Sequence, residues 1–328
     1  MNDLQVTIQT GARLHFGPLA VHDGPGRSFG GIGLMIDRPG CTVRVAPAEV
    51  DECQADPDVA RRVRGVLERF REFGLAEGTS GFAVRINDVP PAHCGFGSGT
   101  QLSLAVARGL IELAGGRADA NTLARIGGRG DRSAIGIHGF LSGGFLCDAG
   151  KRSGEAIGDI ACRLDVPDDW RFVAIRPIDR GGLSGTAETL GFRRLPPMDA
   201  ARIGTLARLV LTEVMPAVRA GAFNEFAAGL EEYGRCVGEY FAPIQGGIFA
   251  DPQMAELAAH LERMGVRGVA QTSWGPTIVV PLEQPVAAER LVRQLREDDR
   301  LEGCETLITR PLSHGATCNR DSSTFRTV

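Results

Sequence analysis

Lysine is almost missing from this chain. Lys151 is the single lysine among 36 basic residues, so an anion has to be held by arginine forks, backbone N–H groups or a metal. Cysteine pairing is missing too. The eight cysteines are scattered without one Cys-x-x-Cys pair, which excludes a zinc site or disulfide framework and implies reduced thiols. The six histidines form no cluster with metal-ligand spacing. No apolar run approaches ~18 residues, and the N-terminus carries neither a basic segment nor an apolar signal core, so a cytoplasmic protein without a membrane partner is expected. A net charge of −4 lacks the basic excess of a nucleic-acid binder. There is no internal repeat and no low-complexity segment.

What is present suits a globular α+β protein. The 328 residues, 43% hydrophobic and 23% charged, fill one large or two medium domains. Residues 4–10 alternate apolar and polar, residues 13–16 and 32–36 are strand-like, and 41–46 alternate again, so the first fifty residues read as an antiparallel set. Residues 57–74 are periodic and charged, with Val59, Val63, Val66, Leu67 and Phe70 on one face of an amphipathic surface helix. A short helix is expected over 121–126 and a strand over 144–147. Residues 164–175 read as the strand that opens a second unit. Helices are expected there over 201–214, 224–237, 252–264 and 286–295, with strands over 269–272, 277–280 and 306–308. That alternation suggests a sandwich with helices on one face. Residues 313–328 are polar and unpatterned, as in a mobile tail.

The stretch that organises the rest is residues 90–116, PPAHCGFGSGTQLSLAVARGLIELAGG. A strand-like run (81–86) feeds a loop with Gly95, Gly97 and Gly99. A helix then opens at residues 98–101, and Leu102, Ala105, Val106, Gly109, Leu110 and Leu113 recur at helical spacing. Glycines let the backbone curl close to a ligand, and the first helical turn leaves N–H groups directed outward. That junction suits phosphate. It is not a Walker loop, because Gly99 is followed by Thr100 and Gln101 rather than Lys, nor a dinucleotide fingerprint.

Four glycine-rich segments, residues 12–33, 91–101, 129–144 and 265–277, each lie beside a strand and carry Arg, His, Ser or Gln. Together they are expected to converge on one ligand. Arg13 and His15 alternate with Leu14 and Phe16, so both polar side chains share one side of a strand. Arg27 sits in a glycine-rich loop suited to a phosphate or carboxylate. Asp23 in the same loop is a turn residue or a magnesium ligand. Arg129 and Arg132 flank Asp131 and are anion-binding candidates. Cys94 reads as a small loop filler.

With these residues in view, the chain resembles the galactokinase–homoserine kinase–mevalonate kinase–phosphomevalonate kinase (GHMP) superfamily. The superfamily's Pro-x-x-x-Gly-Leu-Gly-Ser-Ser/Gly motif is matched by Pro91 through Gly95, Gly97, Ser98 and Gly99, and its C-terminal motif by Gln271, Ser273, Gly275, Pro276 and Thr277. The kinases place a base aspartate shortly before a Gly-Gly pair, where this chain has Gly136 before Gly143-Gly144. A phosphoryl acceptor would then lack its carboxylate base. Further carriers are residues 13–16, 24–27 and 30–33, the run Arg132-Ser133-Ala134-Ile135-Gly136, and Trp274 through Thr277. They resemble a branch of the superfamily that transfers a phosphoribosyl group. One departure is Ser142, where that branch is expected to carry a histidine.

The resemblance implies a two-domain fold: a β-rich α+β domain over 1–165, a ferredoxin-like α/β sandwich over 166–312, and a tail over 313–328. It implies that 4-aminobenzoate or 4-hydroxybenzoate reacts with 5-phosphoribosyl 1-pyrophosphate in tetrahydromethanopterin biosynthesis. A carbon–carbon bond forms at C1 of the ribose while CO2 and pyrophosphate leave. Arg13, His15, Arg27 and Arg132 would be catalytic. Gly95, Gly97, Ser98, Gly99, Thr100, Gln101, Ser133, Ser273, Gly275 and Thr277 would hold substrate and phosphate. Mg2+ is implied as cofactor, with Ser98 or Asp23 as candidate ligands, and a homodimer is expected. The alternatives are an ATP-dependent small-molecule kinase of the same fold and a catalytically silent ligand-binding relative.

Overall fold

The computed structural model describes residues 4–22, 26–76, 78–178, 180–182 and 185–321, the side chains of 185–189 excepted. The chain opens with two long antiparallel strands, β1 (Gln5–His15) and β2 (Gly31–Ala48). The breaks expected near residues 11 and 37–40 do not end either strand. At Gly11 the β1–β2 register shifts by three residues, since Gly11 alone stands opposite residues 37–40. A Cβ there would lie 1.9 Å from the Ile36 carbonyl oxygen, so only glycine fits. The irregularity reverses which face the side chains of β1 take beyond it. Val6 and Ile8 enter one apolar cluster, whereas Ala12, Leu14 and Phe16 enter another. Arg13 and His15 thereby stay on the face of Val6 and Ile8.

The first layer of helices covers that face. Pro57 in the first turn, Asp58 near the N-terminus and Arg69 and Arg71 in the last turn favour α1 (Pro57–Glu72), which follows the two-residue strand β3 (Glu52–Cys53). After β4 (Gly81–Asp88) the glycine loop leads into α2 (Ser98–Leu113). This helix is buried almost all round, because the β1–β2 sheet packs on one side and α1 and α3 (Ala120–Gly127) on the other. A further helix, α4 (Ile135–Ser142), stands where the sequence reads as a polar glycine segment. Its glycines serve close packing: a Cβ on Gly139 would sit 2.6 Å from Met35 Sδ. Strands β5 (Phe145–Asp148) and β6 (Ile160–Leu164) pair with each other, and β5 pairs with β2.

The strand expected over 164–175 is two strands. Turn residues 165–170 separate β6 from β7 (Arg171–Pro177), which belongs to a second sheet. Helices α5 (Gly185–Arg194), α6 (Ala200–Leu209), α7 (Met215–Ala220) and α8 (Phe223–Gln245) follow, with a π-helical turn over 210–214. Then come α9 (Pro252–Arg263), β8 (Ala270–Gln271), β9 (Ile278–Leu282), α10 (Pro285–Glu297) and β10 (Cys304–Thr309). The second sheet has the antiparallel order β10-β7-β9-β8. Helices α9 and α10 cover one face, where Val173, Ile175 and Val280 are buried. The other face is not open, as a one-faced sandwich would have it. Phe172, Ala174 and Val279 enter a cluster shared with α6 to α8 and with Leu14 and Ile32 of the first sheet, so one core joins the two sheets.

The chain end corrects the tail expectation. Residues 317–321 form β11 (Thr317–Asp321), which pairs antiparallel with β1 from Gln5↔Asp321 to Gln9↔Thr317. An edge strand can be polar, because its partner supplies the hydrogen bonds while its own outer side faces water. No helix among the described residues is long and apolar enough to cross a membrane.

Candidate functional site

The end of β1 pins two loops. Arg13 N–H donates to the Phe96 carbonyl (3.0 Å), which docks the glycine loop on the strand. Ser273 N–H donates to the His15 carbonyl (2.7 Å), which docks residues 272–277 beside it. These two loops also pack directly against each other. A Cβ on Gly275 would lie 2.7 Å from Gly95 N, and one on Gly95 would lie 2.0 Å from Thr272 Oγ1. A third segment arrives through buried Gln101. Its Oε1 accepts from Thr10 and its Nε2 donates to the Gly136 carbonyl, both at 3.1 Å, so α2 holds the first turn of α4. Asp148 fixes the approach to that turn by accepting the Ala134 N–H at 2.6 Å.

Between these segments lies a cavity of about 200 Å³. Arg13, His15, Thr100, Arg132, Ser133 and Ser273 line it, as the sequence led one to expect, together with Arg129, Asp131 and an aromatic wall of Phe29, Phe192, Phe241 and Trp274. Trp274 lies over Phe241 with centroids 4.3 Å apart, and Phe192 meets Trp274 edge-on at 5.2 Å. The Arg132 guanidinium sits 5.1 Å from the Phe192 ring centre. Phe29 and Ser273 both hold left-handed backbone, φ 66° and 50°, a strain typical of binding sites.

Two buried atoms on this wall lack protein partners: Trp274 Nε1 and His15 Nε2 make no hydrogen bond. Burial, reinforced by Arg13, pushes the His15 pKa well below the usual 6.5, so the ring is neutral. Its Nδ1 is 3.0 Å from Ser273 Oγ, and that hydroxyl donates to the His15 carbonyl at 3.3 Å. In the tautomer with the proton on Nδ1, that hydroxyl accepts from the ring and Nε2 presents a lone pair. The aromatic wall thus offers an orphan donor in Trp274 Nε1 and, in that tautomer, an orphan acceptor in His15 Nε2, while Arg129 Nε on the cationic side is a further buried donor without a partner.

Positive charge gathers at the start of α2. Gly97, with φ 69°, precedes the helix, and no side chain caps its N–H groups. Arg13 lies against Gly97, Arg62 of α1 against Gly99, and Arg129 donates to the Gly99 carbonyl at 3.0 Å. Burial, followed by the charges of Arg62, Arg69 and Arg13, pushes the Arg129 pKa down to about 10. Burial lowers Arg62 as well. A cluster of like charges around a helix N-terminus is complementary to a polyanion.

Other expected site residues serve the frame instead. Arg27 does not line the cavity; its guanidinium binds the Gly150 carbonyl (2.7 Å), Glu155 (3.3 Å) and Asp159 (2.7 Å). Ser98 Oγ donates to the Pro90 carbonyl at 2.6 Å, which closes the loop rather than facing a ligand. Thr277 is fully buried and donates to the Cys94 carbonyl, so with Gly95 and Gly275 it belongs to the loop–loop seam. Asp23 lies outside the described residues. Ser142 closes α4 on the His138 carbonyl and does not line the cavity. The Gly143-Gly144 pair admits the returning chain, since a Cβ on Gly143 would sit 2.5 Å from the His314 and Leu312 carbonyls. A Cβ on Gly136, in contrast, would meet Thr100 at 2.9 Å and Arg13 at 3.6 Å, so a kinase-type aspartate there would face the cationic site.

Sequence reasoning missed Arg62, Phe192 and Phe241. The signal for Arg62 was available: Arg62 and Arg69 recur on the side of α1 next to its apolar stripe. The aromatic residues come from α5 and α8 and carry no local signature.

Comparison with known proteins follows the same lines. Residues 61–144 match the family described as GHMP kinases N terminal domain. A homoserine kinase from Cytophaga hutchinsonii superposes with a TM-score of 0.66 at 15% identity, over 97% of this chain and 98% of that one. A mevalonate diphosphate decarboxylase from Staphylococcus aureus gives 0.67 at 12% identity, over 96% and 98%. The fold is thus GHMP-kinase-like, as the motifs implied. Within that class the chain is similar to beta-ribofuranosylphenol 5'-phosphate synthases. The one from Methanothermobacter thermautotrophicus is 29% identical over 84% of this chain and 88% of its own length, and the one from Archaeoglobus fulgidus is 26% identical over 94% and 97%. These likenesses bear out the resemblance to the GHMP superfamily and to a synthase branch of it, and the reading of the chain as an enzyme.

Proposed function

We propose that this chain is a β-ribofuranosylaminobenzene 5′-phosphate synthase or its phenol counterpart, joining 4-aminobenzoate or 4-hydroxybenzoate to phosphoribosyl pyrophosphate in tetrahydromethanopterin biosynthesis. One juxtaposition carries the reading: an arginine-ringed, uncapped helix N-terminus opens onto an aromatic slot with one orphan donor and one orphan acceptor. The first part fits pyrophosphate. The second fits a flat ring with an acceptor at one end and an N–H or O–H at the other, which describes both benzoates.

The chemistry needs a stabilised leaving group and an oriented ring. The C1–O bond to pyrophosphate breaks with its electron pair on the leaving oxygen. Arg13, Arg62, Arg129 and the N–H groups at the start of α2 meet the charge that develops there. The ring carbon bearing the carboxylate bonds to C1. The C–CO2 bond then returns its pair to the ring as CO2 departs. His15 Nε2 accepts the hydrogen bond of the para substituent and favours its electron release, while Trp274 Nε1–H and Arg132 orient the carboxylate. No carboxylate stands at position 136 to deprotonate a phosphoryl acceptor.

No group of three or more His, Cys, Asp or Glu side chains that could hold a metal occurs among the described residues. Mg2+ is commonly bound by one or two carboxylates together with substrate phosphates. Asp131, Thr100 and Ser133, which line the cavity, are oxygen donors of that kind. Bound there with pyrophosphate, the ion would neutralise the charge of the leaving group.

The test is CO2 release from carboxyl-labelled 4-aminobenzoate and 4-hydroxybenzoate with phosphoribosyl pyrophosphate and Mg2+, without ATP. Release that requires both substrates is the expected result. Absence of release from either benzoate, with phosphoryl transfer from ATP to a small alcohol, would replace this reading by a kinase.

A further inference from the structure

The cavity is too small for the reaction assigned to it. Ligand clefts typically measure roughly 300–1,000 Å³, and this one, at about 200 Å³, would have to take two substrates. The space continues past Phe29, Phe192 and Arg132, which also line a neighbouring pocket of about 500 Å³. Lys151, Arg152 and Arg193 enter its wall, and no acidic residue lines it among the described residues.

The positive charge of this second pocket is built in. Glu155 and Asp159 belong to the same 150–159 turn as Lys151 and Arg152, but both carboxylates are turned to Arg27. Arg152 and Arg193 form no ion pair among the described residues, and Lys151 Nζ has only the Ala156 carbonyl at 3.4 Å. The backbone of Lys151 is fixed by reciprocal hydrogen bonds with Ser28, at 2.9 and 3.1 Å. Asp148 ties the two walls together, since one oxygen accepts from Ala134 and the other from Gly150 (2.8 Å). The site therefore has a cationic zone at each end and an aromatic seam between them.

Such a layout matches a molecule with an anion at each end and a neutral middle. We propose that the Lys151–Arg152–Arg193 pocket is the subsite for a sugar phosphate monoester, the 5-phosphate of the phosphoribosyl substrate. The inference rests on the function proposed above for the orientation of that substrate, with pyrophosphate at α2. It also gives Arg27 a place as the residue that draws the acidic side chains away from the pocket.

Titration calorimetry with ribose 5-phosphate, inorganic phosphate, inorganic pyrophosphate and phosphoribosyl pyrophosphate tests it, on the intact protein and on Lys151→Gln, Arg193→Gln and Arg62→Gln. Lys151 and Arg193 are surface side chains, and unchanged melting temperatures would show that the fold is kept. Each of those two substitutions is expected to weaken ribose 5-phosphate and phosphoribosyl pyrophosphate about tenfold while leaving inorganic pyrophosphate unchanged. Arg62→Gln should do the reverse for the two phosphates taken singly. Unchanged affinity for ribose 5-phosphate and phosphoribosyl pyrophosphate in both pocket variants overturns the subsite, and a loss confined to Arg62→Gln leaves the proposed function standing without it. Inorganic phosphate binding as tightly as ribose 5-phosphate reduces the pocket to a bare anion site and also overturns it. Ribose 5-phosphate binding that depends on Lys151 without any phosphoribosyl pyrophosphate binding would keep the monoester site and remove the reading of the whole cavity.

Discussion

Replacing Arg62 by glutamine separates a charge that holds the protein together from one held ready for a ligand. Glutamine keeps helix propensity close to that of arginine, and Arg62 forms no hydrogen bond or ion pair with a described residue that the change would break. A guanidinium pushed down from its ordinary value to about 10, as Arg129 is, carries on the order of 3 kcal/mol of unfavourable free energy when charged. Burial is the main cause, and Arg62 is the first like charge after it. Its share is therefore on the order of 1 kcal/mol or less. Arg62→Gln should raise the melting temperature of the ligand-free protein by about 1–2 °C, since ~1 kcal/mol moves a protein of this size by a few degrees. In the same variant inorganic pyrophosphate should bind about tenfold more weakly, the worth of one charge-assisted hydrogen bond. Differential scanning calorimetry with and without pyrophosphate reads both effects. A lower melting temperature without ligand, together with unchanged pyrophosphate affinity, would show that Arg62 is a structural residue and that the arginine cluster is not waiting for an anion.

Other substitutions probe the frame and the wall. Gly97→Ala puts a methyl group 3.0 Å from Arg13 Nε at a left-handed backbone position; turnover should fall at least tenfold for about 1 kcal/mol of stability, and full turnover would remove the loop from the site. Asp148→Asn leaves one acceptor oxygen for two N–H donors, so urea melts should show a loss of about 1–3 kcal/mol. Because His15 keeps a depressed pKa in the fold, the unfolded chain binds its proton first as pH falls below 6.5, and stability drops with it. Between pH 7.5 and 5.5 that costs at most about 1.4 kcal/mol, a pH dependence that His15→Gln should lose; an equal slope in both proteins would mean that the ring is not buried neutral.

Local chemistry made part of this structure readable in advance. The glycine loop before α2 and the shared side of Arg13 and His15 follow from backbone sterics and strand alternation, which need no distant partner. Helix α4 was not readable, because Gly136 and Gly139 look like breakers until Met35 and Thr100 are placed against them. Arg27 looked like a phosphate ligand for a similar reason. Its partners Glu155 and Asp159 lie far along the chain, and only the fold brings them to it. The polar strand β11 has no apolar pattern of its own and is defined by pairing with β1.

The break in alternation at Gly11 acts as a phase shifter. Upstream of it, odd-numbered side chains of β1 face away from α2; downstream they face toward it. Running β1 through Gly11 in unbroken alternation would leave the composition of the strand intact and yet exchange its two downstream faces, sending a guanidinium and an imidazole into the apolar core while Leu14 and Phe16 turned to the ligand. The address of the site is thus written in a spacing as much as in residue types. An alignment of relatives that closes a gap at this point would assign the wrong partners to every later residue of the strand.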